Sequence, residues 1–180
     1  MNIPCNRLFI AMAFGAATVA APLHADVIDS SVTGFSLAFT RDLPVTTEIA
    51  FQRLTTDVQR WWLADHTWYG SSANMFIDAK PNGCLCETDG QRFTEHLRVV
   101  KYEPGQAIRF TGGLGPLQGE GVSGVMDWSV AADAEDPQRS VLTVKYRVGG
   151  YTPNDLSQWA SAVDNVLQQQ MDSLQAYVGD

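Results

Sequence analysis

Residues 83–96 read GCLCETDGQRFTEH, placing two cysteines, two glutamates and a histidine in one short stretch. Cysteine and histidine are ligands for zinc and softer metals, a cysteine pair is a redox couple, and a carboxylate near a histidine is acid–base machinery. Which of these chemistries is open depends on how the chain folds locally. Asp89-Gly90 is a strong signal for a two-residue hairpin turn. With those residues as the turn, Thr88 faces Gln91, Glu87 faces Arg92, Cys86 faces Phe93, Leu85 faces Thr94 and Cys84 faces Glu95. Side chains alternate along a strand. One face therefore carries Cys84, Cys86, Phe93 and Glu95, continuing to Leu97 and Val99; the other carries Leu85, Glu87, Arg92, Thr94, His96 and Arg98. The second set is mostly polar and is expected to face water, with Glu87 and Arg92 as an exposed pair worth about a few tenths of a kcal/mol.

This register separates His96 from the cysteines, which rules against a Cys-Cys-His cluster, and the spacing is not the Cys-x-x-Cys of redox and zinc units. Within a flat strand, residues two apart project in parallel at about 7 Å, whereas disulfide-bonded Cβ atoms need ~4 Å. Cys84 and Cys86 are therefore expected as small apolar side chains on a buried face. A disulfide would need an irregular turn, and a soft-metal site is the remaining alternative. No metal and no cofactor is expected. Glu95 would sit on the apolar face as either a cavity acid or a rim charge reaching solvent. It is the candidate for acid–base catalysis, with Tyr146 or a histidine as its partner. Asp65-His66 has no nucleophile placed with it by spacing and is expected as a solvated loop. The loop GGLGPLQGEG at residues 112–121 lacks the Lys-Ser/Thr of a phosphate-binding loop and is read as a flexible rim.

The elements that must position these residues follow in order. GFSLAFTRDL at 34–43 alternates as a strand, and TTEIAFQRLTTDVQRWW at 46–62 has helical spacing, with Ile49, Ala50, Leu54, Val58 and Trp61 as its buried stripe. MFIDA, CLCET, RFTEHLRVVKYE, AIRFTG, VSGVMDWSVAA and VLTVKYRVGGY read as strands joined by turns. A long amphipathic helix closes the chain, with Asn154 or Asp155 as its cap. This order predicts an α+β fold, an antiparallel sheet with one apolar face against the terminal helix.

The chain has 180 residues, 45% of them apolar and 18% charged, a globular composition with enough length for a real core. Residues 1–25 have one charged side chain, Arg7, before an apolar run from Leu8 to Ala21, then Pro22 and Ala25. This is the layout of a signal peptide cut after Ala25, which would leave one domain over residues 26–180 in the periplasm or outside the cell. Removal of Arg7 would leave 11 Lys+Arg against 20 Asp+Glu, a net charge of −9. That charge disfavours nucleic acid and anionic lipid as partners. No later stretch is apolar for long enough to span a bilayer.

The helix ending in Trp61-Trp62, the strand opening PNGCLCE, the segment LRVVKYEPGQAIRFTG, Trp128 in MDWSV, VLTVKYRVGGY and the helix carrying Trp159 together resemble the SRPBCC (START-like, birch-pollen-allergen-like) superfamily. The branch they are most similar to is that of the heat-shock ATPase activator homologues and polyketide cyclase-like proteins. The resemblance spans nearly all of residues 26–180. It implies a helix-grip fold, a curved antiparallel sheet wrapped around a long C-terminal helix, with a cavity between them. The expected lining is Leu97, Val99, Met126, Trp128, Leu142, Val144 and Tyr146 from the sheet, and Trp159, Val163, Leu167 and Met171 from the helix. The function it implies is an exported carrier for a small apolar molecule or acyl chain. A cyclase- or hydratase-like enzyme and a protein-interaction, co-chaperone-like module are the alternatives, and the absence of a catalytic signature favours the carrier.

Overall fold

The computed structural model describes residues 26–180; the signal peptide expected over residues 1–25 lies outside them. The elements are β1 (Asp26–Ser31), β2 (Gly34–Leu43), α1 (Thr47–Thr56), α2 (Val58–Trp61), β3 (Met75–Ile77), β4 (Cys84–Asp89), β5 (Arg92–Glu103), β6 (Ala107–Thr111), β7 (Val122–Ala132), β8 (Ser140–Gly150) and α3 (Ser157–Gly179). The eight strands form one antiparallel sheet in the order β1-β2-β8-β7-β6-β5-β4-β3. With α3 packed on it, this is the α+β arrangement expected from the order of elements. No helix among the described residues is long and apolar enough to cross a membrane.

The inner face of the sheet follows from alternation. Leu37, Tyr146, Met126, Phe110 and Val99 stand side by side across five strands, and Phe39, Val144, Trp128 and Ile108 form the next row. All are buried. Gly124 stands under this layer: a Cβ there would lie 2.5 Å from Cε2 of Tyr146, so only glycine lets that ring lie flat on β7. From α3, Ala160, Leu167, Met171, Leu174 and Val178 complete the core, a spacing of three, four and seven that puts them on one helix face. The helix is also held at its edge. Arg41 of β2, itself buried, donates to Asp172 at 2.7 Å and to Gln168 at 2.6 Å.

The helix expected over 46–62 breaks at Asp57. Thr55 and Thr56 turn their hydroxyls back onto the carbonyls of Phe51 and Gln52, and Asp57 accepts the Tyr177 hydroxyl at 2.8 Å. Such residues compete with the helix for its own hydrogen bonds. Ile49 points to solvent, and Phe51 takes its expected place in the buried stripe. β1 lies ahead of the first expected strand and covers the edge of β2.

Candidate functional site

The hairpin β4–β5 closes one position further along than the sequence motif implies. Its two central residues are Gly90 and Gln91, and Asp89 pairs with Arg92, to which it is also ion-paired. Gly90 has φ +60° while Gln91 has negative φ, the pattern of a turn that wants glycine first. The expected Glu87–Arg92 pair is therefore not formed. A second departure matters more. Between Leu85–Leu97 and Cys86–Glu95 the register shifts, leaving His96 as an extra residue on β5. At such a bulge the alternation of faces breaks, and here His96 and Leu97 are both buried.

This bulge reverses the expected faces at the turn end of the hairpin. Leu97 and Val99 do face inward, but counting back from them in twos places Glu95 wrongly. Glu95 lies on the outer face, half-exposed, in a two-point ion pair with Arg98 at 3.0 and 2.8 Å. It is a surface charge and not a cavity acid. Glu87, expected in solvent, is fully buried, and His96 is 3% exposed. The backbone irregularity also brings the Cα atoms of Cys84 and Cys86 to 5.3 Å, and the two are joined by a disulfide. That distance lies within the disulfide range and well below the spacing in a flat strand, which corrects the reading of free apolar thiols.

Glu87 organises the site. Its Oε1 accepts the backbone N–H of Tyr69 at 2.7 Å, and its Oε2 accepts that of Trp68 at 2.8 Å. Oε2 also lies 3.1 Å from Nε2 of His96. One buried carboxylate thus pins the loop after α2 to the sheet and orients the imidazole. Tyr69 reinforces the link, its hydroxyl 2.8 Å from that of Thr94.

His66 is placed by a second buried polar group. Gln170, wholly buried on α3, accepts the backbone N–H of Leu63 through Oε1 at 2.8 Å and presents Nε2 to Nδ1 of His66 at 2.5 Å. The solvated loop expected for Asp65-His66 is therefore a wall of the site. A cavity of about 320 Å³ opens between these parts, lined by Trp62, Asp65, His66, Thr67 and Trp68 from the loop, His96 from β5, Leu114, Gly115 and Pro116, and Val163 and Val166 of α3. The rim segment is anchored by a 3₁₀ turn over Gly115–Glu120, whose Gln118 donates to the Glu95 carbonyl at 2.6 Å.

Of the expected lining residues, Val163 borders this cavity. Leu97, Val99, Met126, Trp128, Leu142, Val144, Tyr146, Leu167 and Met171 are buried core, and Trp159 is half-buried against it. Within it Trp128 meets Phe110 at 5.1 Å and Trp61 at 5.9 Å between ring centres. The cavity lies at the hairpin end, between the loop after α2 and α3. Tyr146 is no acid–base candidate. Burial pushes its hydroxyl up to about 12, and that hydroxyl is occupied, accepting from Leu114 N–H at 3.0 Å and donating to the Gly112 carbonyl at 3.1 Å.

Burial holds the His96 imidazole below its ordinary 6.5, with Glu87 opposing the shift. The unfolded chain therefore binds a proton at this residue at a higher pH than the folded one. Stability is expected to fall as pH drops from 6.5 toward the folded value, and the His96 contribution ends once both states are protonated. Denaturant unfolding between pH 4.5 and 7.5 checks this: the slope near pH 6 should be present in the wild type and reduced in His96→Gln.

No family model matches the chain, and no curated protein matches it in sequence. Its fold is a shared one. An uncharacterised protein from Rhizobium leguminosarum superimposes with a TM-score of 0.55 at 15% identity, over 81% of this chain and 95% of that one. CalU16 from Micromonospora echinospora gives 0.54 at 11% identity, over 86% and 85%. DynU16, from the dynemicin biosynthetic locus, gives 0.54 at 15% identity, over 80% of this chain and 47% of that one. At these identities the likeness is one of fold alone.

Proposed function

We propose that this protein is an exported binding protein of the SRPBCC type that holds a compact, mostly apolar small molecule in the cavity between α3, the Trp62–Trp68 loop and His96. The observation that carries it is the wall itself. Trp62, Trp68, Leu114, Pro116, Val163 and Val166 supply apolar surface, and Asp65, His66, Thr67 and His96 supply a few polar groups. Binding sites for small molecules have this composition. The volume, about 320 Å³, is at the small end of the roughly 300–1,000 Å³ typical of such sites. A one- or two-ring compound or a short acyl group fits that size better than a long lipid chain. The signal-peptide layout of the sequence over residues 1–25 supports export, and the resemblance to SRPBCC proteins supports a carrier role.

Two valines of α3 test the reading, since both border the cavity and neither is in the buried core of the helix. Titration with 1-naphthol, followed by tryptophan fluorescence, should give saturable binding to the wild type. Val163→Trp, which fills the cavity, should weaken it at least tenfold with little change in unfolding temperature. Equal affinity in the two proteins would place binding elsewhere and end this reading. Native mass spectrometry of protein taken from its own host should show a bound mass of small-molecule size.

A further inference from the structure

We propose that the cavity is also a proton-transfer site, in which Nδ1 of His96 is a general base oriented by Glu87 and Nε2–H of His66 is a hydrogen-bond donor to the substrate's oxygen. The proposal rests on the binding reading above, because the base acts on a molecule held in that cavity.

The two histidines line one cavity and are given opposite character by their neighbours. A carboxylate only accepts, so the ring nitrogen that His96 turns to Glu87, 3.1 Å away, carries the hydrogen. In the neutral ring Nδ1 then holds the lone pair. For His66 the assignment runs through Gln170. A backbone N–H only donates, so the Gln170 oxygen is the atom facing Leu63, and its NH2 faces His66. Nδ1 of His66 must accept, and the hydrogen stands on Nε2. A buried ring nitrogen ordinarily has a hydrogen-bond partner, in the protein or in bound water. Here Nδ1 of His96 and Nε2 of His66 have no hydrogen-bond partner among the described residues, and both rings border the same space.

An acceptor and a donor on the walls of an apolar cavity match a compact enolisable carbonyl compound. The C–H bond beside the carbonyl breaks and its proton passes to Nδ1 of His96. The electron pair forms a carbon–carbon double bond while the carbonyl π pair moves to oxygen, which accepts from His66 Nε2–H. The imidazolium is stabilised by the Glu87 carboxylate, and delivery of its proton to the enolate oxygen, or to a different carbon of a conjugated enolate, completes a tautomerisation with no other reactant. His96 is the catalytic residue in this scheme, and Glu87 and Gln170 are positioning residues.

The probe is 5-nitrobenzisoxazole, a small apolar carbon acid. A base takes its ring C–H proton, that electron pair becomes part of a nitrile, and the N–O bond opens to a coloured phenolate. The wild type should eliminate it with saturation, and His96→Asn should lower kcat by about 100-fold or more, with KM little changed. His66→Phe should lower kcat about tenfold or more. The charged or titratable groups facing His96 are Glu87 from β4 and Asp65 and His66 from the loop; the cavity residues of the Leu114–Pro116 segment and of α3 carry none. The rate should rise through a single ionisation below pH 6.5 and level off above it. That midpoint should persist in Asp65→Asn and His66→Phe and move to lower pH in Glu87→Gln. If the probe binds, as fluorescence reports, yet His96→Asn turns it over as fast as the wild type, proton transfer is refuted and binding stands. If it does not bind at all, both readings fall. Should His96→Asn fail to fold, the wild-type pH profile decides: a rate independent of pH between 4.5 and 7.5 overturns the proposal.

Discussion

Glu87→Ala is expected to destabilise the protein by about 3–5 kcal/mol, because each buried donor left without its acceptor costs about 1–3 kcal/mol. Glu87 is fully buried, and its two oxygens receive the N–H groups of Trp68 and Tyr69 together with the His96 ring. Alanine leaves three buried donors without an acceptor and a void where the carboxylate stood. For a chain of this size each kcal/mol lowers the unfolding temperature by about 2–4 °C, so a drop of roughly 6–20 °C should appear in thermal melts. Glu87→Gln keeps the shape and one acceptor oxygen and should lose clearly less. The loop carrying Trp62 to Tyr69 should also loosen first in Glu87→Ala, which amide hydrogen exchange at Trp68 and Tyr69 reads directly. A Glu87→Ala protein within about 0.5 kcal/mol of the wild type, the usual scatter of surface substitutions, would remove Glu87 as the anchor of the site.

The second large effect is at Trp128. Trp128→Ala should cost about 3–5 kcal/mol in denaturant unfolding, the usual range for deleting a buried tryptophan. Its indole is fully buried at the centre of the inner sheet face, edge-on to Phe110 and Trp61. Packing holds it there without help from hydrogen bonding, since its Nε1 has no acceptor among the described residues. Trp128→Phe therefore forfeits volume but no polar contact and should cost well under half as much. Equal losses in the two variants would mean that the indole N–H is bonded after all. Because Trp128 belongs to the core and not to the cavity, Trp128→Phe should leave 1-naphthol affinity unchanged.

The acid–base groups illustrate how far residue types and spacing carry an argument. The hairpin was legible, and Asp89-Gly90 located it to within one residue. Glu87 and His96 belong to it, yet simple alternation turned both outward and Glu95 inward. One extra residue at His96, where the β4–β5 register shifts, reverses the outcome. The local sequence TEHLRV has no glycine or proline to announce it. The cysteines are a parallel case: their disulfide has a Cα separation of 5.3 Å, shorter than a flat strand provides. His66 reads as a loop residue in the sequence because its partner, Gln170, lies 104 positions along the chain.

What the amino-acid order determined by itself is the frame. Period-two and period-three-to-four patterns specify which face of β2, β7, β8 and α3 is apolar, and burial of those faces leaves one way to stack a sheet against a helix. Such patterns are local, and every repeat of the element restates them. The tertiary structure alone decided the chemistry. Glu87 meets donors 18 and 19 residues earlier in the chain, His66 meets Gln170 of α3, and the cavity is walled by the loop, His96 and α3 together. Each of those contacts is a single long-range event with no periodicity to betray it. A buried carboxylate among three donors is stable, whereas the same carboxylate alone in the core is not, so its place follows from partners that the fold brings to it.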